Sequence, residues 1–176
     1  MRTEYLLKRE VDNVLSTLTP GNALVMRAAL HTGLRVSDIL SIKTSQLAPR
    51  FWVTEGKTGK RRQVGLPQPL LDDIKKQASD VWAFPGRDPG KHRTRQAVWK
   101  DIKRAAKAFR LPQNVGIHSA RKVYAVELLQ KYGDIEKVQR ALNHSSLSVT
   151  VIYALADQQL QSKNKRRRSA PGRRKV

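Results

Sequence analysis

The stretch IHSARKVYAVELLQKYGDIEKVQRALNHSSLSVTVIYAL, residues 117–155, decides how the rest of the chain is read. His118 and Arg121 stand three residues apart, so one helix carries both on one face, a turn from each other. The apolar pattern predicts a helix over 118–132, with Gly133 as its stop. A short helix over 134–142 follows, then His144 in the turn-like LNHSS. A last helix over 148–161 is predicted with Ser148 as its N-cap, and it carries Tyr153 nine residues beyond His144 among apolar, β-branched neighbours.

Working outward, TGLRVSDIL supplies Arg35 and EGKTGK supplies Lys57. Val11, Val14, Leu15 and Leu18 recur at helical spacing and predict a first helix over 5–18, ended by Thr19-Pro20-Gly21. A second helix over 22–31 buries Leu24, Val25 and Leu30 and has Gly33 just past its end, and a third starts at Ser37-Asp38 and runs to Ile42. Between Phe51 and Leu66 the period changes to two: 51–55 and 61–66 flank GKTGK and predict a β-hairpin. A helix over 68–78 comes next, with Leu70, Leu71 and Ile74 inward. The Pro/Gly loop VWAFPGRDPGKHR then leads to Thr94, the N-cap of a helix over 95–109 whose inner stripe is Val98, Ile102, Ala105 and Phe109. The fold class is therefore α+β, mainly helical, with a small antiparallel sheet near residues 46–66.

The chain has 176 residues and is 39% hydrophobic, enough for a single domain with its own core. Thirty-five Lys and Arg against 14 Asp and Glu give a net charge of +21. Eight of the positive charges lie in the low-complexity tail 163–176, and the remainder is still strongly basic. A basic domain points to a polyanion partner, of which nucleic acid is the commonest, and also fits a ribosomal-type protein. With no cysteine, disulfides and thiolate metal sites are excluded. The histidines at 31, 92, 118 and 144 form no metal-binding spacing, so no metal is expected. No apolar run approaches the ~20 residues that span a bilayer, and the N-terminus lacks a signal-peptide core, so the expected location is cytoplasmic.

The residue types suit a phosphodiester. Attack at phosphorus builds a second negative charge on the non-bridging oxygens, and the planar, always charged fork of Arg is suited to hold it. Arg35 and Arg121 are the candidates. An ammonium in the hairpin turn can protonate a leaving oxygen, which Lys57 would do, with Lys60 as a rival. His144 can hydrogen-bond a phosphate oxygen or cap a turn. Tyr153 can be a core residue or, with its proton assisted away, a covalent nucleophile. The basic outer face of the 95–109 helix is either a solvated surface or faces DNA, with Arg93, Arg95 and Gln96 near base edges. Arg61, beside Lys60, is a further DNA-binding candidate.

The series TGLRVSD, GKTGK in a hairpin, HSAR, and LNHSS with Tyr nine residues past the His resembles the catalytic domain of the tyrosine recombinase (phage integrase) family. The resemblance runs from the LKREVDNVL helix to Tyr153. It implies that Arg35, Lys57, His118, Arg121 and His144 surround a scissile phosphate, with Asp38 supporting them. Tyr153 would form a 3′-phosphotyrosine and release a 5′-hydroxyl, with Lys57 protonating the leaving oxygen and His118 assisting proton transfer. No metal or nucleotide cofactor is implied. The implied partner is double-stranded DNA with specific recombination sites, bound by a homotetramer on paired sites, with DNA-bending accessory proteins as further candidates. A prokaryotic or phage-encoded enzyme is implied.

A type IB topoisomerase and a binding-only regulator are the alternatives. The LNHSS-to-Tyr spacing favours the recombinase, and a regulator has no need of Tyr153. The sequence departs from the family pattern at Asn143, where a glycine is usual, and at Lys122, where many members have a His. Residues 1–162 are expected to form the catalytic domain and 163–176 a flexible basic tail that touches DNA phosphate. No N-terminal core-binding domain precedes them in this sequence. Leu155 and Leu160 are the expected remnants of a dock on a neighbouring protomer.

Overall fold

A computed structural model describes residues 5–111 and 114–142. The predicted final helix, the basic tail, His144, Tyr153, Leu155 and Leu160 lie outside the described residues.

The fold is built around one helix. The helices are α1 (Lys8–Thr17), α2 (Pro20–Thr32), α3 (Val36–Leu40), α4 (Gln68–Gln77), α5 (Arg95–Ala108), α6 (Ile117–Tyr132) and α7 (Ile135–Leu142), with strands β1 (Arg50–Thr54) and β2 (Arg61–Gly65) between α3 and α4. Helix α2 buries Asn22 through Met26, Ala28, Ala29 and Thr32, so it is covered on nearly every side. It packs on α1, α3, α4, α5 and α6, and α6 lies along it most extensively. Each large aliphatic side chain enclosed this way, such as Met26 or Ile102, contributes roughly 1.5–3 kcal/mol of transfer free energy.

The sequence placed the start of α2 too late. Thr19-Pro20-Gly21 does not merely end α1; Thr19 is the N-cap of α2 and Pro20 its first residue. Proline suits that position because its fixed φ matches a helix and the missing N–H has no partner there anyway. The end of α2 fits expectation. Gly33 adopts φ 61°, its N–H bonds Ala29 O, and a Cβ there would lie 2.3 Å from the Tyr124 ring of α6. Only glycine serves the left-handed turn and the close approach together. That turn delivers Arg35, the N-cap of α3.

The hairpin is antiparallel, in register from Arg50 opposite Gly65 to Thr54 opposite Arg61. Phe51, Val53 and Val64 face the core, and period-two alternation carries Glu55 and Arg62 to the same side. The outer face holds Arg50, Trp52, Arg61 and Gln63, with the Arg61 guanidinium 5.4 Å from the Trp52 ring centre.

Helix α5 starts where predicted, with Thr94 Oγ1 accepting the Ala97 N–H at 3.1 Å. Val98, Ile102 and Ala105 are buried, but Phe109 is 38% exposed. It sits at the C-cap, where the backbone leaves the helix and the inner stripe no longer governs it. Gly133 ends α6 in the left-handed conformation, as the sequence implied. No described helix is long and apolar enough to cross a membrane.

Candidate active site

Three chain segments meet at the corner where α2 turns into α3. The first brings Arg35, the second the hairpin, the third the start of α6. Ser119 Oγ accepts the Gly116 N–H at 3.3 Å, fixing the first turn of α6 that carries His118 and Arg121. Arg121 is buried and reaches across α2: Nη1 donates to Gly33 O at 2.5 Å and Nη2 to Leu142 O at 2.6 Å. One guanidinium thus joins the turn before Arg35 to the end of α7, two residues before His144.

His118 lies at the mouth of a cavity of about 310 Å³ lined also by Val36, Arg95, Gln96 and Trp99. Its imidazole is pushed below its ordinary value of 6.5, first by burial and then by the charges of Arg121, Arg35 and Lys122. The imidazole is therefore neutral near neutral pH and able to accept a proton.

Arg35 is held by acids. Its Nη1 lies 2.5 Å from Glu55 Oε2 and 3.9 Å from Asp38 Oδ2. Asp38 is buried, and its Oδ1 accepts the Gly56 N–H at 3.1 Å, tying the hairpin turn to α3. Lys57 follows at once. The turn closes through Gly59 N–H to Glu55 O at 2.8 Å and Glu55 N–H to Lys60 O at 3.0 Å, and leaves Lys57 and Lys60 exposed beside the site.

Glu55 and Arg62 are the participants that the sequence reading missed. Glu55 is fully buried, and its Oε1 lies 3.2 Å from Arg62 Nε. Arg62 Nη2 donates to Thr32 O at 2.8 Å and Nη1 to Ala141 O. The signal available was phase: both residues fall on the inward positions of alternating strands, where a charge needs a partner.

The DNA-binding candidates separate. Arg95 and Gln96 stand at the exposed start of α5, on the His118 cavity. Lys60 and Arg61 are exposed at the hairpin end. Arg93 differs from the expected position: its Nη1 donates to Asn22 Oδ1 at 3.1 Å and its guanidinium packs where a side chain on Gly21 would otherwise sit. It faces the base of α2, drawn there by an amide.

A model of the phage integrase family matches residues 4–159. The chain belongs to the phage integrase family. It is similar to the probable integrase/recombinase YoeC of Bacillus subtilis, 32% identical over 85% of the chain and 86% of that protein. It is 29% identical to a tyrosine recombinase of Thermosipho africanus over 89% of the chain, but spans only 59% of that protein. Three solved structures share its fold. XerA recombinase has a TM-score of 0.73 at 20% identity, covering 92% of the chain and 63% of that one. A lambda integrase dimer bound to a COC′ core site gives 0.71 at 22%, covering 88% and 60%. The catalytic domain of bacteriophage HP1 integrase gives 0.66 at 23%, covering 93% and 95%. The integrase therefore has the α+β, mainly helical architecture of tyrosine recombinase catalytic domains.

Proposed function

We propose that this integrase cleaves and rejoins DNA strands at specific recombination sites through a 3′-phosphotyrosine on Tyr153. The observation that carries the proposal is the convergence at His118, whose imidazole feels both its helix neighbour Arg121 and Arg35, which comes from a distant segment of the chain. In this reading Arg35 and Arg121 face the non-bridging oxygens of one phosphate, and a neutral His118 takes part in moving the tyrosine proton. The Tyr153 oxygen bonds to phosphorus as the bond to the 5′ oxygen breaks, and Lys57 gives that oxygen its proton. The ester keeps the bond energy, and a 5′-hydroxyl attacks it to rejoin a strand. His144 completes the phosphate contacts, and Asp38 supports the site by holding the hairpin turn on α3.

Residues 1–162 act as the catalytic domain and 163–176 as a basic tail on DNA phosphate. Arg95, Gln96, Lys60 and Arg61 contact the duplex, four protomers assemble on paired sites, and DNA-bending proteins assist. The lambda integrase complex supports DNA as the partner. The chemistry needs neither metal nor nucleotide.

The test is covalent trapping on a nicked suicide duplex in EDTA, resolved on a denaturing gel. A protein–DNA band that disappears in Tyr153→Phe is expected. No band from protein shown to bind that duplex overturns the proposal. Strand-exchange products separate recombination from nicking and resealing.

A further inference from the structure

We infer that Glu55 is a positioning residue that sets the guanidinium of Arg35, with Arg62 as its backstop; the consequence for catalysis rests on the function proposed above. A carboxylate with no solvent exposure is cut off from bulk water and depends on nearby charges and donors to offset its burial. Oε2 has Arg35 Nη1 at 2.5 Å and the Thr58 hydroxyl at 3.3 Å, and Oε1 has Arg62 Nε at 3.2 Å. If Arg35 swung away, Oε2 would keep only the long bond from Thr58. The carboxylate therefore holds Arg35 by one nitrogen, and because a guanidinium is planar, a fixed Nη1 with a fixed Cζ restricts the whole fork.

Glu55 is itself prevented from following Arg35. Arg62 grips it by Nε while donating Nη1 to Ala141 O and Nη2 to Thr32 O. Those two carbonyls neighbour Gly33 O and Leu142 O, the acceptors of Arg121. Two guanidiniums thus hold adjacent carbonyls on the same pair of segments. One belongs to the proposed phosphate site, and the other ends on Glu55. The anchor of Arg35 is in this way referred to the same backbone that positions Arg121. Bidentate recognition of a phosphate depends on donors fixed before the phosphate arrives, which is what such an arrangement supplies.

The test compares wild type, Glu55→Gln and Asp101→Asn, the last a destabilised control at a buried acid remote from the site. In the free protein, 15N NMR of the Arg35 side chain reads its rotation without any reaction. Separate Nη signals in wild type and in Asp101→Asn, averaged in Glu55→Gln, are expected; identical signals in all three overturn the inference. At saturating suicide duplex, the single-turnover cleavage rate per folded molecule should fall at least tenfold in Glu55→Gln, with its DNA Kd within twofold. It should hold in Asp101→Asn. A lower melting temperature with an unchanged rate in Glu55→Gln assigns Glu55 to the fold alone and overturns the inference. A wild type that binds but does not cleave overturns the proposed function, while the NMR comparison still decides whether Glu55 positions Arg35.

Discussion

Glu55 and Asp101 are both acids taken out of water, 0% and 8% exposed, and they are held in different ways. Asp101, on α5, has donors on both oxygens. Thr19 N–H at 2.9 Å, Thr19 Oγ1 at 2.8 Å and Asn22 Nδ2 at 2.8 Å serve Oδ2, while Arg104 Nε at 3.0 Å and Nη2 at 2.6 Å serve Oδ1. Burial pushes its carboxyl up, but the bonds from Asn22, Thr19 and Arg104 together outweigh it and hold it down at about 2. These partners lie at the start of α2 or on α5 itself, and Arg104 also reaches Thr17 O at 2.5 Å, so the cluster fastens α5 to the α1–α2 junction. Glu55 has fewer donors, and one of them, Arg35, has other work in the proposed mechanism. A buried acid whose donors come from its own helix and from the α1–α2 junction secures the fold; one that holds an arginine at a cleft prepares a site.

The largest contrast should come from replacing the arginine on each acid by lysine. Arg35→Lys removes the fork and is expected to slow single-turnover cleavage by about 10²–10³, the scale of losing a preorganised transition-state donor. Arg104→Lys should leave the rate within twofold. Equal effects from the two would erase the distinction between the acids.

Stability should reverse the order of importance. Asp101 has a folded value of about 2 against an ordinary 3.8, so the unfolded chain takes up a proton more readily. Its contribution is fully present above about pH 4 and is lost as pH falls through about 2, amounting to roughly 2 kcal/mol. Urea unfolding of wild type and Asp101→Asn between pH 2 and 7 checks this: the gap between them should narrow on acidification. A constant gap would remove Asp101 as the source.

His118 offers a finer test on the site side. Its value is depressed, so the acid limb of cleavage measured under kcat/KM conditions should fall below pH 6.5. His118→Gln should flatten that limb and slow cleavage about tenfold or more, within the usual range for assisted proton transfer. An acid limb above pH 6.5 would contradict the electrostatic reading of the site. Lys60→Ala should do least. With its side chain exposed, it should change stability by less than about 0.5 kcal/mol and lower the salt dependence of DNA binding by about one unit of log–log slope. An unchanged slope would remove Lys60 from the interface.

Most of the described elements were legible because their periodicity is strong and their caps are specific. Thr94 caps through its hydroxyl, and Gly33 and Gly133 take the left-handed conformation, so the start of α5 and the ends of α2 and α6 are marked in the sequence. The failures share a cause: local pattern does not reveal a distant partner. Pro20 read as a terminator because nothing nearby shows that Thr19 is tied to Asp101, more than 80 residues on. Glu55 read as the end of a strand, and Arg62 as one more base in the run KRRQ, because only the hairpin register sets them together on the inner face. Arg35, His118 and Arg121 each sit in a short motif that can be read without its surroundings, and their meeting at the α2–α3 corner is what the fold adds.

The paired grip of Arg62 and Arg121 on the carbonyls of 32, 33, 141 and 142 also acts as a ruler. Each guanidinium measures the same two stretches at consecutive peptides, so neither stretch can slide by one residue without losing a bond at both. Lengthening the chain by a single residue between Gly33 and Arg35 would add up to ~3.5 Å of path where none is to spare. The exposed tip from Arg87 to Lys91 is tied to its own loop, by Ser79 Oγ on Pro89 O and Trp82 Nε1 on Gly90 O, and an added tag or reporter there should be carried without disturbing the cleft.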